Sequence, residues 1–320
     1  MKRIILSALI GLSSIVSMAQ DNQERDFQIS FISPFGTNGT QSHLTTNKIS
    51  VNILGGYSYG NRIFEFGGLY NVNTNLTKGF QFAGMANYSG NTDNAAQFAG
   101  ITNIASAGTT PFQFAGITNI ANNVNGLQFA GVLNVAKHVK GVQFGLINYA
   151  EENDGVSIGL INIVKKGGKQ EFEISFSEAL NTAVSFKLGT DKFYTIFSGG
   201  VNYINNPVEY AAGLGFGTHI DWKKGWGNQI EAIGYALTEN GSFETDALNM
   251  LTQLKFTVSK QFAPHFKIFA GPVINMTISD YVNPETGAIG SSLSPWTMWE
   301  NNSSTTRIKS WLGFSAGVRF

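Results

Sequence analysis

The chain has no cysteine among its 320 residues. That excludes disulfides, thiolate metal sites, cysteine nucleophiles and any lipid anchor that requires a cysteine at its cleavage site. Charge is also scarce, at 13% of residues, where an ordinary soluble protein has about 25%. Neither sign dominates: without Lys2 and Arg3, 19 cations face 21 anions, and no basic excess supports nucleic-acid binding. Histidine is rare. His43, His138, His219 and His265 are at least 46 residues apart, and no HExxH or similar spacing occurs. No local motif marks a serine–histidine pair. No catalytic, cofactor or metal residue is therefore singled out. No apolar run beyond the N-terminus approaches the ~20 residues of a membrane helix.

What is present begins with an export pattern. Lys2 and Arg3 precede an apolar segment from Ile4 to Val16, and Ser17-Met18-Ala19 forms a small-x-small site before Gln20. Residues 1–19 thus read as a cleaved signal peptide. Between Gly79 and Ala136 the single charged residue is Asp93. A long, uncharged, glycine- and phenylalanine-rich stretch broken by polar groups suits strands with one lipid face, each needing ~9–11 residues to cross.

The centre of the chain is repetitive. FEFGGLYNV (64–72), FQFAGMANY (80–88), AQFAGITNI (96–104), FQFAGITNI (112–120), LQFAGVLNV (127–135), VQFGLINYA (142–150) and VSIGLINIV (156–164) follow one another. Their asparagines, at 71, 87, 103, 119, 134, 148 and 162, are spaced by 16, 16, 16, 15, 14 and 14 residues. These units are poor helices and read as strands with short polar turns. They resemble the GVQ-x-G-x-x-N surface repeats of certain bacterial surface proteins over about residues 62–165, which implies a cell-surface location without a defined activity.

Such a repeat fits either one coil of a β-solenoid or one strand of an up-and-down meander. A solenoid brings every turn to one edge, whereas a meander sends successive turns to opposite edges. KHVK (137–140) is basic, EEND (151–154) acidic and KKGGK (165–169) basic, and the series continues through Glu178, a mixed GTDK turn (189–192), Glu209, Lys223-Lys224, ENGSFETD (239–246), Lys260–Lys267 and the segment with Asp280 and Glu285. Two-sided alternation favours the meander. Gln81, Gln97, Gln113 and Gln128 then share an inner face with Asn87, Asn103, Asn119 and Asn134, forming two amide bands that fix register by cross-strand hydrogen bonds. Met85, Ile101, Ile117 and Val132 lie between the bands, and Phe82, Phe98, Phe114 and Phe129 face lipid.

The C-terminus alternates strictly. In WLGFSAGVRF, Leu312, Phe314, Ala316, Val318 and Phe320 point one way, while Gly313, Ser315, Gly317 and Arg319 point the other. Ending on Phe320, it resembles the C-terminal signal of bacterial outer-membrane β-barrel proteins, which implies recognition by the barrel assembly machinery. Seventeen strand-like segments are readable: 27–35, 49–58, 62–72, 79–89, 95–105, 111–121, 126–136, 141–150, 155–164, 170–178, 180–188, 191–203, 208–220, 227–238, 246–260, 265–278 and 309–320. Single-chain barrels take an even number, and 27–35 is the weakest. The expectation is an all-β, transmembrane up-and-down antiparallel barrel of about 16 strands (14–18), with residues 20–320 as one domain. Pro272 predicts a local break in its strand. Glu171 and Glu173 read as solvated charges of the inner wall. Gly213, Gly215 and Gly217 read as smooth strand beside bulky neighbours rather than a phosphate loop.

The implied function is a non-enzymatic outer-membrane surface protein, either a passive channel or a structural element. The alternatives are a surface adhesion protein with a closed barrel, a lipid-modifying enzyme and a secreted β-solenoid. Implied partners are outer-membrane lipid, the assembly machinery and a candidate extracellular ligand at the long loop 279–308. Conductance separates a channel from an adhesin, which would bind a ligand through that loop. An enzyme would depend on one serine or histidine.

Overall fold

A computed structural model describes residues 23–204, 208–238, 247–283, 287–303 and 305–320. Residues 1–19, read above as a signal peptide, and residues 239–246, read above as an acidic turn, lie outside the described residues. The protein is all-β, but its strands fall into two sheets of different kinds: a fifteen-stranded sheet built from Gln23 to Lys166, and a nine-stranded sheet built from Lys169 to Arg319. The expected single barrel over 20–320 is thus replaced by two bodies of sheet.

The second sheet closes on itself. Its eight wall strands are Lys169–Ser177, Thr182–Gly189, Tyr194–Asn202, Glu209–Asp221, Trp226–Leu237, Asn249–Ala263, Phe266–Ser279 and Arg307–Arg319. Each pairs antiparallel with the next. The eighth pairs back with the first, from Glu173 opposite Arg319 to Ser177 opposite Ser315. Phe172 and Phe320 exchange backbone hydrogen bonds of 3.1 and 2.9 Å at that seam. A short strand, Trp299–Asn302, continues along the eighth strand beyond the end of the first. The closed sheet therefore has eight strands, not about 16. Pro272 lies opposite Phe314 in continuous pairing with the eighth strand, but the ladder to Asn249–Ala263 skips Gly271 and Pro272, so the expected local break occurs on one side of the strand only.

Each of these strands alternates as the sequence does. Leu312, Phe314 and Phe320 are exposed, while Ser315, Gly317 and Arg319 are inside. Small residues on the inner face make room for large ones. A Cβ on Gly213 would meet the Tyr235 ring at 2.4 Å, and one on Gly217 the Tyr194 ring at 2.6 Å.

The repeats form a solenoid, and the meander reading is corrected. All strand pairs between successive units are parallel and in register: Gln97 lies opposite Gln81 and Gln113, and Asn103 opposite Asn87 and Asn119. The segment 79–89 is not one strand but two, Phe80–Ala83 and Ala86–Asp93, separated by a corner at Gly84-Met85. The corner glycines stack: a Cβ on Gly100 would lie 2.2 Å from the Gly84 carbonyl oxygen, and one on Gly116 2.2 Å from that of Gly100. A side chain at that position would push the coils apart. The corner also resets the alternation, so Met85, Ile101, Ile117 and Val132 are exposed instead of lying between the amide bands. The segment at 27–35 is real. Its residues 27–32 belong to Gln23–Ile32, which runs parallel to Thr45–Ser58 at the far end of the stack, and residue 35 starts the short strand Phe35–Gly36.

The charged turns also sort differently. The turns at 137–140, 151–154 and 165–169 are consecutive levels of one edge: His138 Nδ1 is 3.1 Å from Glu152 Oε2, and Lys166 Nζ is 2.8 Å from Glu152 Oε1. Their signs alternate because stacked neighbours attract, not because they point opposite ways. Within the barrel the two-sided reading holds among the described residues, with Glu178, Glu209 and Asp280 at one end and Lys192, Lys223, Lys224 and Lys267 at the other.

Candidate functional site in the barrel interior

An eight-stranded barrel has an interior just wide enough for side chains to fill, and here they fill it in two layers. The layer nearer the Phe320 end is ionic. Lys187 Nζ donates to Glu173 Oε2 and Glu231 Oε1, both at 2.5 Å, and all three side chains are fully buried. Arg319 Nε donates to Glu173 Oε2 at 2.6 Å, and its other nitrogens donate to Gln229 and Thr257. The guanidinium lies 3.7 Å from the Phe269 ring centroid. Tyr194 Oη donates to Glu231 Oε1 at 2.7 Å.

Buried charges are tolerable only when paired and hydrogen-bonded, and strand register supplies the partners. Glu171 lies opposite Lys187, and Glu173 opposite Arg319. Glu171 and Glu173 are therefore members of a closed ion-pair network rather than solvated wall charges.

The second layer is apolar and lies toward the opposite mouth. Ile196, Ile233, Tyr235, Leu251 and Trp311 pack with Leu180 and Leu293 from connecting segments. Leu293, from the long loop before the eighth strand, is 1% exposed, and Ser292 Oγ donates to Glu209 Oε1 at 2.5 Å. Part of loop 279–308 thus plugs the mouth, while its Trp296, Met298 and Trp299 remain exposed. Glu178 folds over the wall and accepts hydrogen bonds from Trp311 Nε1 at 3.1 Å and Asn275 Nδ2 at 2.9 Å. A Cβ on Gly313 would lie 1.7 Å from its carboxylate.

At the Phe320 end a cleft of about 200 Å³ is lined by Lys169, Glu171, Asp191, His265, Lys267 and Arg319. Lys267 Nζ is 3.1 Å from Glu171 Oε2, and Lys169 Nζ reaches both Glu171 and Asp191. His219 is clamped between two carboxylates, with Nδ1 3.0 Å from Asp191 and Nε2 3.3 Å from Asp221. This bond from His219, with Lys169 nearby, pulls the Asp191 carboxyl down to about 2. The three side chains could supply metal ligands, but the carboxylates sit at opposite ring nitrogens. One ligand atom from each residue nevertheless lies within 4.8 Å of the others, so a single ring nitrogen and the two carboxylates form a candidate cluster at the barrel end. His138 lies on the solenoid edge, His265 in a barrel turn and His43 in the 3-10 segment Gly39–Leu44.

The sequence reading named Glu171, Glu173 and the inner placement of Arg319, but missed Lys187 and Glu231. For Lys187 the available signal was phase, since it alternates in step with Ala183, Ser185 and Gly189; Glu231 shares its phase with Ile233, Tyr235 and Leu237 and carried no such signal. Compared with known proteins, the chain matches no family model, and no curated protein or solved structure is significantly similar to it.

Proposed function

We propose that this chain is an exported outer-membrane protein whose eight-stranded barrel spans the bilayer with a sealed interior, serving as a structural surface element rather than a passive channel. One observation carries the reading: the barrel is inside-out. Phe176, Phe216, Ile274 and Phe314 are exposed on its outer face, while Glu173, Lys187, Glu231 and Lys255 are at most 2% exposed within. In water this partition would be unfavourable on both counts. In a bilayer it is the normal arrangement, with every wall strand paired and no free edge. Phe320, half exposed at the end of the closing strand, fits recognition by the assembly machinery. The signal segment accounts for export.

The filled interior disfavours the channel reading. Refolded into lipid vesicles, the protein should show heat-modifiable migration and no porin-like conductance in planar bilayers. A monodisperse fold in water without lipid or detergent would overturn the membrane assignment, and sustained open-channel conductance would overturn the seal. The exposed Trp296, Met298 and Trp299 favour contact with an extracellular ligand as a second reading, tested by whether binding to host or bacterial surfaces is lost when 294–300 is shortened.

A further inference from the structure

The solenoid repeats the barrel's inversion. Its interior carries amide ladders beside a small cluster of alanine and valine: Gln97, Gln113, Asn103 and Asn119 are at most 1% exposed, while Phe80, Met85, Phe112, Ile117, Phe129 and Leu146 are 52, 46, 46, 47, 40 and 49% exposed. Exposed apolar patches of a few hundred Å² already mark interaction surfaces, and this one recurs at every level of the stack. The phenylalanines of one face stack along it, with Phe82, Phe98 and Phe114 centroids 4.7 and 5.3 Å apart.

The placement of the stack against the barrel says what covers this surface. The last coil docks on the outer wall. Asn162 Nδ2 donates to Thr195 Oγ1 at 3.0 Å, Thr195 Oγ1 donates to the Gly159 carbonyl at 2.8 Å, and Lys192 Nζ donates to the Asp154 carbonyl at 2.5 Å. Thr195 lies on the outward phase of its strand, so these contacts use the face the barrel presents to lipid. Lys192 lies in the barrel turn at the Phe320 end, and Asp154 lies on the charged edge of the solenoid. The ionic edge, with its Lys78–Asp93 and Glu152–Lys166 pairs, is therefore level with the basic turns of the barrel. The glycine corners and apolar faces extend beside the apolar wall. The strand from corner to charged edge, Ala86–Asp93, measures roughly 25 Å at ~3.3 Å per residue, close to the height of a barrel's apolar band.

We infer that the solenoid is a lateral fin embedded in the hydrocarbon of the membrane that holds the barrel, with its charged edge at the interface occupied by the basic turns. The inference rests on the membrane reading of the barrel. Non-helical backbone at membrane depth must be satisfied by protein. Parallel pairing does this between coils, and at the last coil the Asp154 and Gly159 carbonyls accept from the barrel's Lys192 and Thr195. Amide ladders keep the polar interior paired without water.

The absence of cysteine makes the test clean. Nitroxide labels on Ile117→Cys, Phe129→Cys, Ile274→Cys (barrel wall) and Lys140→Cys (charged edge) are compared in refolded proteoliposomes for collision with oxygen and with a water-soluble nickel chelate. Variants are accepted when they migrate as the folded form, and Ile101→Cys replaces any that does not. A several-fold oxygen preference at 117, 129 and 274 relative to 140 is expected. Oxygen preference at 274 with nickel preference at 117 and 129 overturns the fin and leaves the barrel. Nickel preference at 274 overturns the barrel reading itself. Exclusion of both reagents from 117 and 129 means that a protein surface covers them, and also overturns the fin.

Discussion

The solenoid and the barrel both turn large apolar side chains outward and bury paired polar groups, but they pair those polar groups by opposite rules. In a parallel in-register stack each residue meets its own equivalent. The interior must therefore be self-complementary, and an amide is, since it donates with one atom and accepts with the other. Asn87 Nδ2 donates to Asn103 Oδ1, Asn103 to Asn119 and Asn119 to Asn134, at 2.9–3.1 Å. A column of identical charges would repel instead. In the antiparallel barrel unlike residues meet, so Glu173 can find Lys187 and Arg319.

The largest expected effect breaks the barrel's rule. Arg319→Ala leaves Glu173 with one fewer cation and removes the guanidinium from Phe269. Removing one member of a buried ion pair costs ~3–5 kcal/mol. Gln113→Ala removes one rung of an uncharged ladder and should cost ~1–3 kcal/mol. Urea unfolding in lipid vesicles would rank them. Equal losses would mean that the two interiors are not differently built.

A second comparison concerns the polarity of the glutamine ladder. Every rung donates toward the N-terminus: Gln113 to Gln97 at 2.8 Å, Gln97 to Gln81 at 2.8 Å, and Gln81 to Glu65 at 3.0 Å. Such a column needs an acceptor at its end, and Glu65 accepts from Asn73 as well. Glu65→Gln should be tolerated, because an amide oxygen can take the same bond. Gln113→Glu should be costly, because a carboxylate there cannot donate to Gln97 and brings an unpaired charge inside, with a penalty of ~1–3 kcal/mol or more. Equal tolerance in a midpoint comparison would reject the directed ladder.

These contrasts explain what was legible in the sequence. The eight wall strands fall on the segments read between 170 and 320, because alternation reports the faces of any half-buried strand. For the repeats, alternation was equally clear but could not distinguish a meander from a coil. The turn charges favour a meander only if neighbouring turns lie at opposite edges, whereas 137–140, 151–154 and 165–169 alternate because they attract one another along a single stacked edge. Two other features pointed the right way. Identical residues at one 14–16-residue spacing are what in-register parallel pairing demands, whereas oppositely running strands give no reason to repeat Gln and Asn at the same positions. The unvarying glycine before Met85, Ile101 and Ile117 marked a corner rather than a mid-strand position. The ionic layer was only half readable, because Glu173 finds Lys187 14 residues away, but Arg319 146 residues away.

The smallest effect concerns acid. Asp191 lies in a turn outside the wall, and its bond from His219 holds its carboxyl at about 2 instead of the ordinary 3.8. A depressed carboxyl contributes stability that is fully present above the unfolded value and is lost as pH falls through the folded one, so the window runs from about pH 4 down to pH 2. Glu152 on the solenoid edge is also held low, chiefly by its hydrogen bond from Lys166, but its partners Lys166 and His138 are open to solvent and to screening, whereas His219 and Lys169 beside Asp191 are buried. Asp191→Asn should flatten the acid dependence of unfolding across that window at low salt and, less so, at high salt. Glu152→Gln should flatten it only at low salt. If the two variants respond alike to salt, the clamp around His219 is no better shielded than the open edge, and the barrel end and the solenoid edge would be electrostatically equivalent.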